Sequence, residues 1–418
     1  MIIFYHLFLW IYRAGVFVVA FFNPKARLWI KGRVNVFSKV RRDLLQINSP
    51  IVWMHAASLG EFEQGKPVLK KILEKYPGIV PVISFFSPSG YEVVKEKNEF
   101  KYVYYLPMDS VVNAHLWMHF VKPDLVLWIK YEYWYFYIRS IYKKGILLLM
   151  VSGIYQRQQP FFKWYGSLYR KMLKSFTHFF VQNRSSQKYL STLVSRDKIT
   201  ISGDTRCDRV IEIAEDFHPV EKIEEFIGGK ITIVCGSTWE ADEDVWSHFV
   251  QEHQDIRFII APHEIDKENI EFVKKRFKKS VLYSQLLDGY EGKNTNCLII
   301  DNVGILSRLY HYATITYVGG GFGDDGLHNI LEAAVYGKPV LFGPVIYKNF
   351  EASEMMDAGG ALSVDSAVEL EKVVTDLLTD QNLLDKMCLA AKQYVYSNAG
   401  ASEKIVDYIN RFNLLNRK

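Results

Sequence analysis

From about Ile51 onward the chain repeats one pattern, a short run of β-branched or aromatic residues followed by a longer amphipathic stretch. Runs of this kind suit strands buried between two helical layers, and the intervening stretches carry the period of helices. The alternation therefore points to parallel sheets covered by helices. Strands are expected in the first half at 51–55, 79–85, 102–106, 124–129, 146–151 and 178–181. In the second half they are expected at 231–235, 257–261, 297–300, 314–318 and 339–342. Between the halves, 211–229 is mostly polar and acidic with one proline, which reads as a connection between two Rossmann-like domains, 23–210 and 230–418. A last helix returning to the first domain is compatible with this division. A chain of 418 residues has ample core for such a pair. With 49% hydrophobic and 23% charged residues, it is neither a long disordered chain nor a multispanning membrane protein.

Charge is unevenly placed. The formal net charge is +5, yet residues 1–42 hold eight Lys or Arg and no acid, so the rest carries 5 − 8 = −3. That distribution argues against a surface built for nucleic acid and for a local cationic collar near the N-terminus. The collar follows a nearly continuous apolar stretch, 1–22, interrupted by His6 and Arg13. Its length approaches the roughly 20 residues that span a bilayer. Arg13 near the centre opposes spanning by about 2.5 to 3.5 kcal/mol, and His6, Trp10 and Arg13 share one helical face, which suits a helix lying in the interface. Spanning or lying, the segment reads as a membrane anchor, and the positive collar keeps the body on the cytoplasmic side and attracts anionic lipid. Aromatic residues, at 15%, fit a membrane-docking side and an aromatic core alike. Cys207, Cys235, Cys297 and Cys388 are too dispersed for a disulfide framework or a zinc site, so reduced, buried thiols are expected.

Two segments carry candidate chemistry. Gly319-Gly320-Gly321-Phe322-Gly323 follows an expected strand, and Gly326, His328, Asn329 and Glu332 lead into an apolar helical pattern. Glycines there let backbone approach a phosphate, and the start of the next helix attracts it. His328 and Glu332, four apart, would share a helical face, with Glu332 a turn deeper and able to accept from ribose hydroxyls. Asp324-Asp325 reads as a metal pair or as solvated loop acids. In the first half, Ser58-Leu59-Gly60-Glu61 joins the strand 51–55 to a helix expected at about 62–75. Glu61 then sits at the C-terminal edge of the sheet, where Rossmann-type ligands bind, in a first turn that favours an ionised carboxylate. A glutamate in that position is equally a partner for the helix dipole.

Taken together, the motifs resemble those of the Kdo transferases, which attach 3-deoxy-D-manno-octulosonic acid (Kdo) from CMP-Kdo to a lipid A precursor. The carriers are the N-terminal anchor, Ser58–Glu61, Lys130-Tyr131-Glu132-Tyr133-Trp134, Gly203-Asp204-Thr205-Arg206-Cys207-Asp208 and His328–Glu332. Ser87-Pro88-Ser89-Gly90, Gly236-Ser237-Thr238, Gly337-Lys338-Pro339-Val340 and Asn349-Phe350 extend the match in order over nearly the whole chain.

The resemblance implies an α/β fold of GT-B type, two Rossmann-like domains across a cleft with an N-terminal membrane-anchor helix. It implies an inverting glycosyltransferase of lipopolysaccharide biosynthesis at the inner membrane, taking CMP-Kdo and lipid IVA. Glu61 corresponds to the base and Glu132 to a second carboxylate. Arg206, at the family's lysine position, corresponds to a cation for the leaving phosphate. Ser237, Thr238, Pro262, His263, Gly326, His328, Asn329 and Glu332 fall on the donor side, with Val303, Gly304 and Ile305 lining the cytosine side. No metal, cofactor or nucleic acid is implied. The sequence departs from the pattern at Lys130, Pro262 and Ile154, where the family carries glutamate, arginine and arginine. Arg206, Lys348 and Arg157 are the candidate replacements for the missing cations. A GT-B transferase using a UDP-sugar and a non-catalytic sugar-nucleotide sensor are the alternatives.

Overall fold

The computed structural model describes residues 2–130, 132–290, 295–323, 326–347, 349–412 and 415. Tyr131, Asp324, Asp325 and Lys348, named above, lie outside the described residues. The chain divides into two compact units, Met1–Arg209 with Ala399–Lys418, and Val210–Asn398. The stretch 211–229 contains the end of the helix Thr205–Glu215 and the short helix Ile223–Ile227.

The first unit contains a parallel sheet of β1 (Ile51–Ala56), β2 (Val80–Phe85), β3 (Tyr102–Tyr105), β4 (Leu125–Ile129), β5 (Leu147–Gly153), β6 (His178–Val181) and β7 (Ile199–Ile201). Its order is β3-β2-β1-β4-β5-β6-β7. Every residue of β1 and β4 is buried, as expected for central strands covered on both faces. Trp53, Trp117, Trp128 and Tyr137 pack on one face of the sheet. On the other face Val68, Leu69 and Ile72 of the helix Leu59–Lys75 meet Ile405, Val406 and Ile409 of the C-terminal helix Ala401–Arg411. Asp208 fastens that helix by accepting from the N–H groups of Gly400 (2.6 Å) and Ser402 (2.7 Å). Much of the aromatic excess is thus core.

The helix Ile2–Val19 is long and apolar enough to cross a membrane, with a mean hydropathy of 1.8. Its other side packs on the first unit: the Tyr5 hydroxyl donates to Asp109 (2.6 Å), His6 lies against Phe136, and Tyr12 against Trp29 and Phe86. Asp109 also accepts from the N–H groups of Phe136 and Tyr137 (3.0 and 3.2 Å), and burial pushes its carboxyl up to about 6.

Arg33, counted with the collar, is turned inward. It donates to the carbonyls of Trp29, Phe86 and Leu106 at 2.7 to 2.9 Å and lies over the Trp29 ring. Burial pulls its guanidinium down to about 9.

The second unit contains a parallel sheet of β8 (Thr232–Thr238), β9 (Arg257–Pro262), β10 (Ser280–Leu282), β11 (Cys297–Ile299), β12 (Ile315–Val318), β13 (Val340–Phe342) and β14 (Ala361–Ser363). The order is β10-β11-β9-β8-β12-β13-β14. Three strands were not anticipated from the sequence, namely β7, β10 and β14. Each is three residues long and lies at a sheet edge, where one side lacks a neighbouring strand. Their partial exposure gives a weak apolar signal, whereas the central runs are fully buried.

In both units the chain leaves its first strand in one direction and later returns on the strand's other side. The reversal falls between β1 and β4 in the first unit and between β8 and β12 in the second. At such a switch point the loops after the strands diverge and open a place for ligand outside the C-terminal edge.

Candidate functional site

In the first unit the two predicted carboxylates flank the switch point. Glu61 follows β1 and Glu132 follows β4, and these strands pair in parallel. The helix after β1 begins earlier than expected, at Leu59, so Glu61 stands in its first turn. Its Oε2 accepts from the backbone N–H of Ser58 (3.1 Å) and from the Ser58 hydroxyl. This is the reciprocal arm of a helix cap, so the carboxylate is oriented by the turn that carries it.

Glu132 is held differently. Its Oε2 receives His55 Nε2 at 2.9 Å and the indole N–H of Trp134 at 3.0 Å, while its backbone carbonyl accepts from Trp128 Nε1 at 2.6 Å. His55, the fifth residue of β1, is fully buried. Its Nδ1 lies 2.9 Å from Ser84 Oγ on β2, and Ser84 Oγ accepts from Trp53 Nε1 at 2.8 Å. Nδ1 also lies 3.2 Å from the Ser84 backbone carbonyl, and an ionised Glu132 can only accept, so His55 Nε2–H is the donor in that pair. The chain Trp53, Ser84, His55, Glu132 links β1 and β2 to the segment that follows β4. Neither His55 nor Ser84 was among the sequence candidates. The available signal was a histidine and a serine within otherwise apolar strands that are buried on both faces.

Arg206 lies in the first turn of Thr205–Glu215 and is engaged with Asp204 through Nε (2.9 Å) and Nη2 (2.7 Å). Burial pushes the Asp204 carboxyl up, but Arg206 and Lys130 more than offset this and hold it below the usual range. The Ser152 and Thr205 hydroxyls are 2.7 Å apart, so this loop reaches the end of β5. Lys130 and Ser152 both adopt left-handed backbone, with φ of 44° and 56°. Non-glycine residues there cost about 1 to 3 kcal/mol each, and such outliers concentrate at ligand sites. Lys130 lines a cavity of about 210 Å³ with Tyr133, Ile154, Gln159 and Tyr169. Arg157, considered as a replacement cation, is absent from its lining.

In the second unit, Ser237, also left-handed (φ 53°), and Thr238 end β8, Pro262 ends β9, and Gly319 follows β12. A Cβ on Gly319 would lie 2.3 Å from the Ser237 carbonyl oxygen, and one on Gly236 would lie 2.0 Å from the Tyr310 hydroxyl. Gly319 therefore permits close approach of the β8 backbone, and Gly236 makes room for the Tyr310 and Leu306 side chains. Asp242 ties the loops together, accepting from the backbone N–H groups of Trp239 and Gly320 (both 2.9 Å) and from the Tyr317 hydroxyl (2.6 Å). Burial raises its carboxyl, as it does that of neighbouring Glu243, which reaches about 7. Glu243 accepts from Thr238 Oγ1 at 3.1 Å.

His263 and His328 come together here with Trp239, which the sequence reading had not singled out. His263 stacks on Trp239 at 4.5 Å and on His328 at 4.4 Å, and Trp239 Nε1 donates to His328 Nε2 at 3.2 Å.

The helix after the glycine-rich loop is the main correction. It is only four residues long, Leu331–Ala334, so His328 precedes it and does not share a helical face with Glu332. The His328 N–H is instead committed to the Gly319 carbonyl, 3.1 Å away, which holds this stretch against β12. Asn329 Nδ2 donates to Glu332 (3.1 Å), so those two predicted residues do meet. Gly326 is left-handed (φ 92°) and its carbonyl crowds Gly320. Val303 is exposed, and Gly304 and Ile305 lead into a helix whose Leu306 packs beside Gly236.

Residues 30–209 match the domain family described as 3-deoxy-D-manno-octulosonic-acid transferase (kdotransferase). A bifunctional glycosyltransferase/methyltransferase of Fusobacterium nucleatum is 25% identical over 79% of this chain, which spans about half (53%) of that protein. The 3-deoxy-D-manno-octulosonic acid transferase of Chlamydia trachomatis serovar A is 25% identical over 82% of this chain and 81% of its own. Among solved structures, UDP-GlcNAc 2-epimerase from Neisseria meningitidis bound to UDP-GlcNAc superposes with a TM-score of 0.63 at 18% identity. The match covers 86% of this chain and all of that one. That likeness establishes the GT-B fold and nothing of the substrate.

Proposed function

We propose that the chain is a member of the Kdo transferase family, an inverting glycosyltransferase moving Kdo from CMP-Kdo to a lipid A precursor. The observation that carries the reading is the pair of oriented carboxylates, Glu61 and Glu132, at the C-terminal ends of adjacent strands on either side of the switch point. Inversion needs one base. Glu61 takes the proton of the attacking acceptor hydroxyl while the new C–O bond forms at the anomeric carbon. The bond from that carbon to the phosphate oxygen breaks on the opposite face, its electron pair leaving with CMP. Both Ser58 hydrogen bonds to Glu61 fall on Oε2, so Oε1 is the atom assigned to receive the proton. Glu132 orients the acceptor, and Arg206, whose charge is shared with Asp204, stabilises negative charge growing on the phosphate. Ser237, Thr238, His263, His328, Asn329 and Glu332 form the donor side.

The helix Ile2–Val19 holds the protein at the inner membrane by lying in the interface. Tyr5, Leu9 and Tyr12 face the body, so only the residues after Tyr12 would be left to cross. The seven helical residues after Tyr12 rise about 10 Å, a third of the roughly 30 Å hydrocarbon core. Lying flat also sets the acceptor domain beside its lipid substrate.

Competition binding tests the donor assignment. CMP is expected to displace a fluorescent cytidine nucleotide at least about tenfold more tightly than UDP, a difference of about 1.4 kcal/mol. A preference for UDP or UDP-sugars would overturn it.

A further inference from the structure

We infer that Trp239 is a positioning residue for the donor half-site, its indole N–H fixing His328 as the tautomer that carries its proton on Nδ1. The inference deepens the proposed function, since it assigns His328 Nδ1–H as a neutral donor to the anionic part of the sugar nucleotide.

The argument is one of donors and acceptors. An indole nitrogen donates and cannot accept, and Trp239 Nε1 lies 3.2 Å from His328 Nε2. A proton on that Nε2 would set two hydrogens against each other. Nε2 is therefore the acceptor, and the neutral ring keeps its proton on Nδ1, the reverse of what an isolated histidine side chain prefers in water.

The arrangement cannot easily slide, because all three rings are anchored at strand ends. The Trp239 N–H is held by Asp242 (2.9 Å), the His263 N–H by the Thr238 carbonyl (2.9 Å) and the His328 N–H by the Gly319 carbonyl (3.1 Å). Trp239 and His328 lie almost parallel, at 15°, and His263 stacks against each of them. Asp242, fully buried behind the stack, spends its carboxylate on Trp239, Gly320 and Tyr317. A donor fixed in advance gives up less conformational freedom when the anion arrives.

The test uses the intact protein and two readouts. Side-chain nitrogen-15 NMR, with His328→Gln supplying the assignment, is expected to show a protonated Nδ1 and a bare Nε2 at His328. Trp239→Phe, which keeps an aromatic ring in place and removes the N–H, is expected to abolish that pattern. With CMP as the probe, Trp239→Phe should weaken binding about tenfold, the usual effect of losing one oriented donor to a charged group. The same change made on the His328→Gln background should have an effect of less than about twofold, because the group it positions is gone. A proton on Nε2 in the unaltered protein, or equal CMP affinity with and without the indole N–H, overturns the inference. Should CMP fail to bind the unaltered protein, the donor assignment falls, and the NMR pattern still decides the tautomer by itself.

Discussion

At the scale of single residues, the candidate base and its companion carboxylate are oriented by different means. Glu61 is set by the first turn of its own helix, a local device legible in Ser58-Leu59-Gly60-Glu61. Glu132 depends on His55 and Ser84, which come from two other strands, so no spacing in the sequence announces them. Trp239 escaped notice for the same reason, since its partner His328 is 89 positions away. Replacing His55 by Phe is expected to leave the fold intact by circular dichroism and to lower kcat by about tenfold to a hundredfold. The range follows from removing one oriented donor from a partly buried carboxylate. His55→Gln, which restores an N–H, should recover part of the loss. A His55→Phe variant with unaltered kcat would show that Glu132 does not act through this chain.

At the scale of elements, the sequence pattern reveals what is buried on both faces and misses what is not. All the anticipated strands are present in the structure, whereas β7, β10 and β14 each have a free edge and a mixed burial pattern. The short helix Leu331–Ala334 was misread because apolar residues after a glycine-rich loop look helical whether or not the turn starts at once. Tertiary ties, here from His328 N to the Gly319 carbonyl, decide where it begins. For the helix Ile2–Val19 the apolar sequence admits both spanning and lying, and the packing of Tyr5, Leu9 and Tyr12 on the body is what supports the proposal that it lies in the interface. Its outward side leaves Phe4 71% and Trp10 69% exposed. Burying each ring in lipid contributes about 1.5 to 3 kcal/mol. Phe4→Glu with Trp10→Glu should therefore reduce flotation with anionic vesicles by at least about tenfold. Unchanged flotation would mean that another surface binds the membrane.

At the scale of the whole molecule, each unit supplies a site of its own at the point where its strand order reverses. The first unit offers carboxylates after β1 and β4, and the second offers glycines, hydroxyls and stacked imidazoles after β8, β9 and β12. In the proposed reaction the carboxylates of the first unit serve the acceptor alcohol, and the groups of the second unit serve the sugar nucleotide. The net charge follows a similar division of labour, with +8 in residues 1–42 and −3 in the remainder. The collar is reduced by the inward-facing Arg33, which sequence counting treated like its neighbours. The most direct measurement is mass spectrometry of a lipid A precursor incubated with the full-length protein and CMP-Kdo, run beside Glu61→Gln. The account predicts that the acceptor gains Kdo as CMP is released, and that Glu61→Gln is slower by at least about a hundredfold, the usual worth of a general base. An acceptor that gains no Kdo, or undiminished transfer by Glu61→Gln, would contradict it.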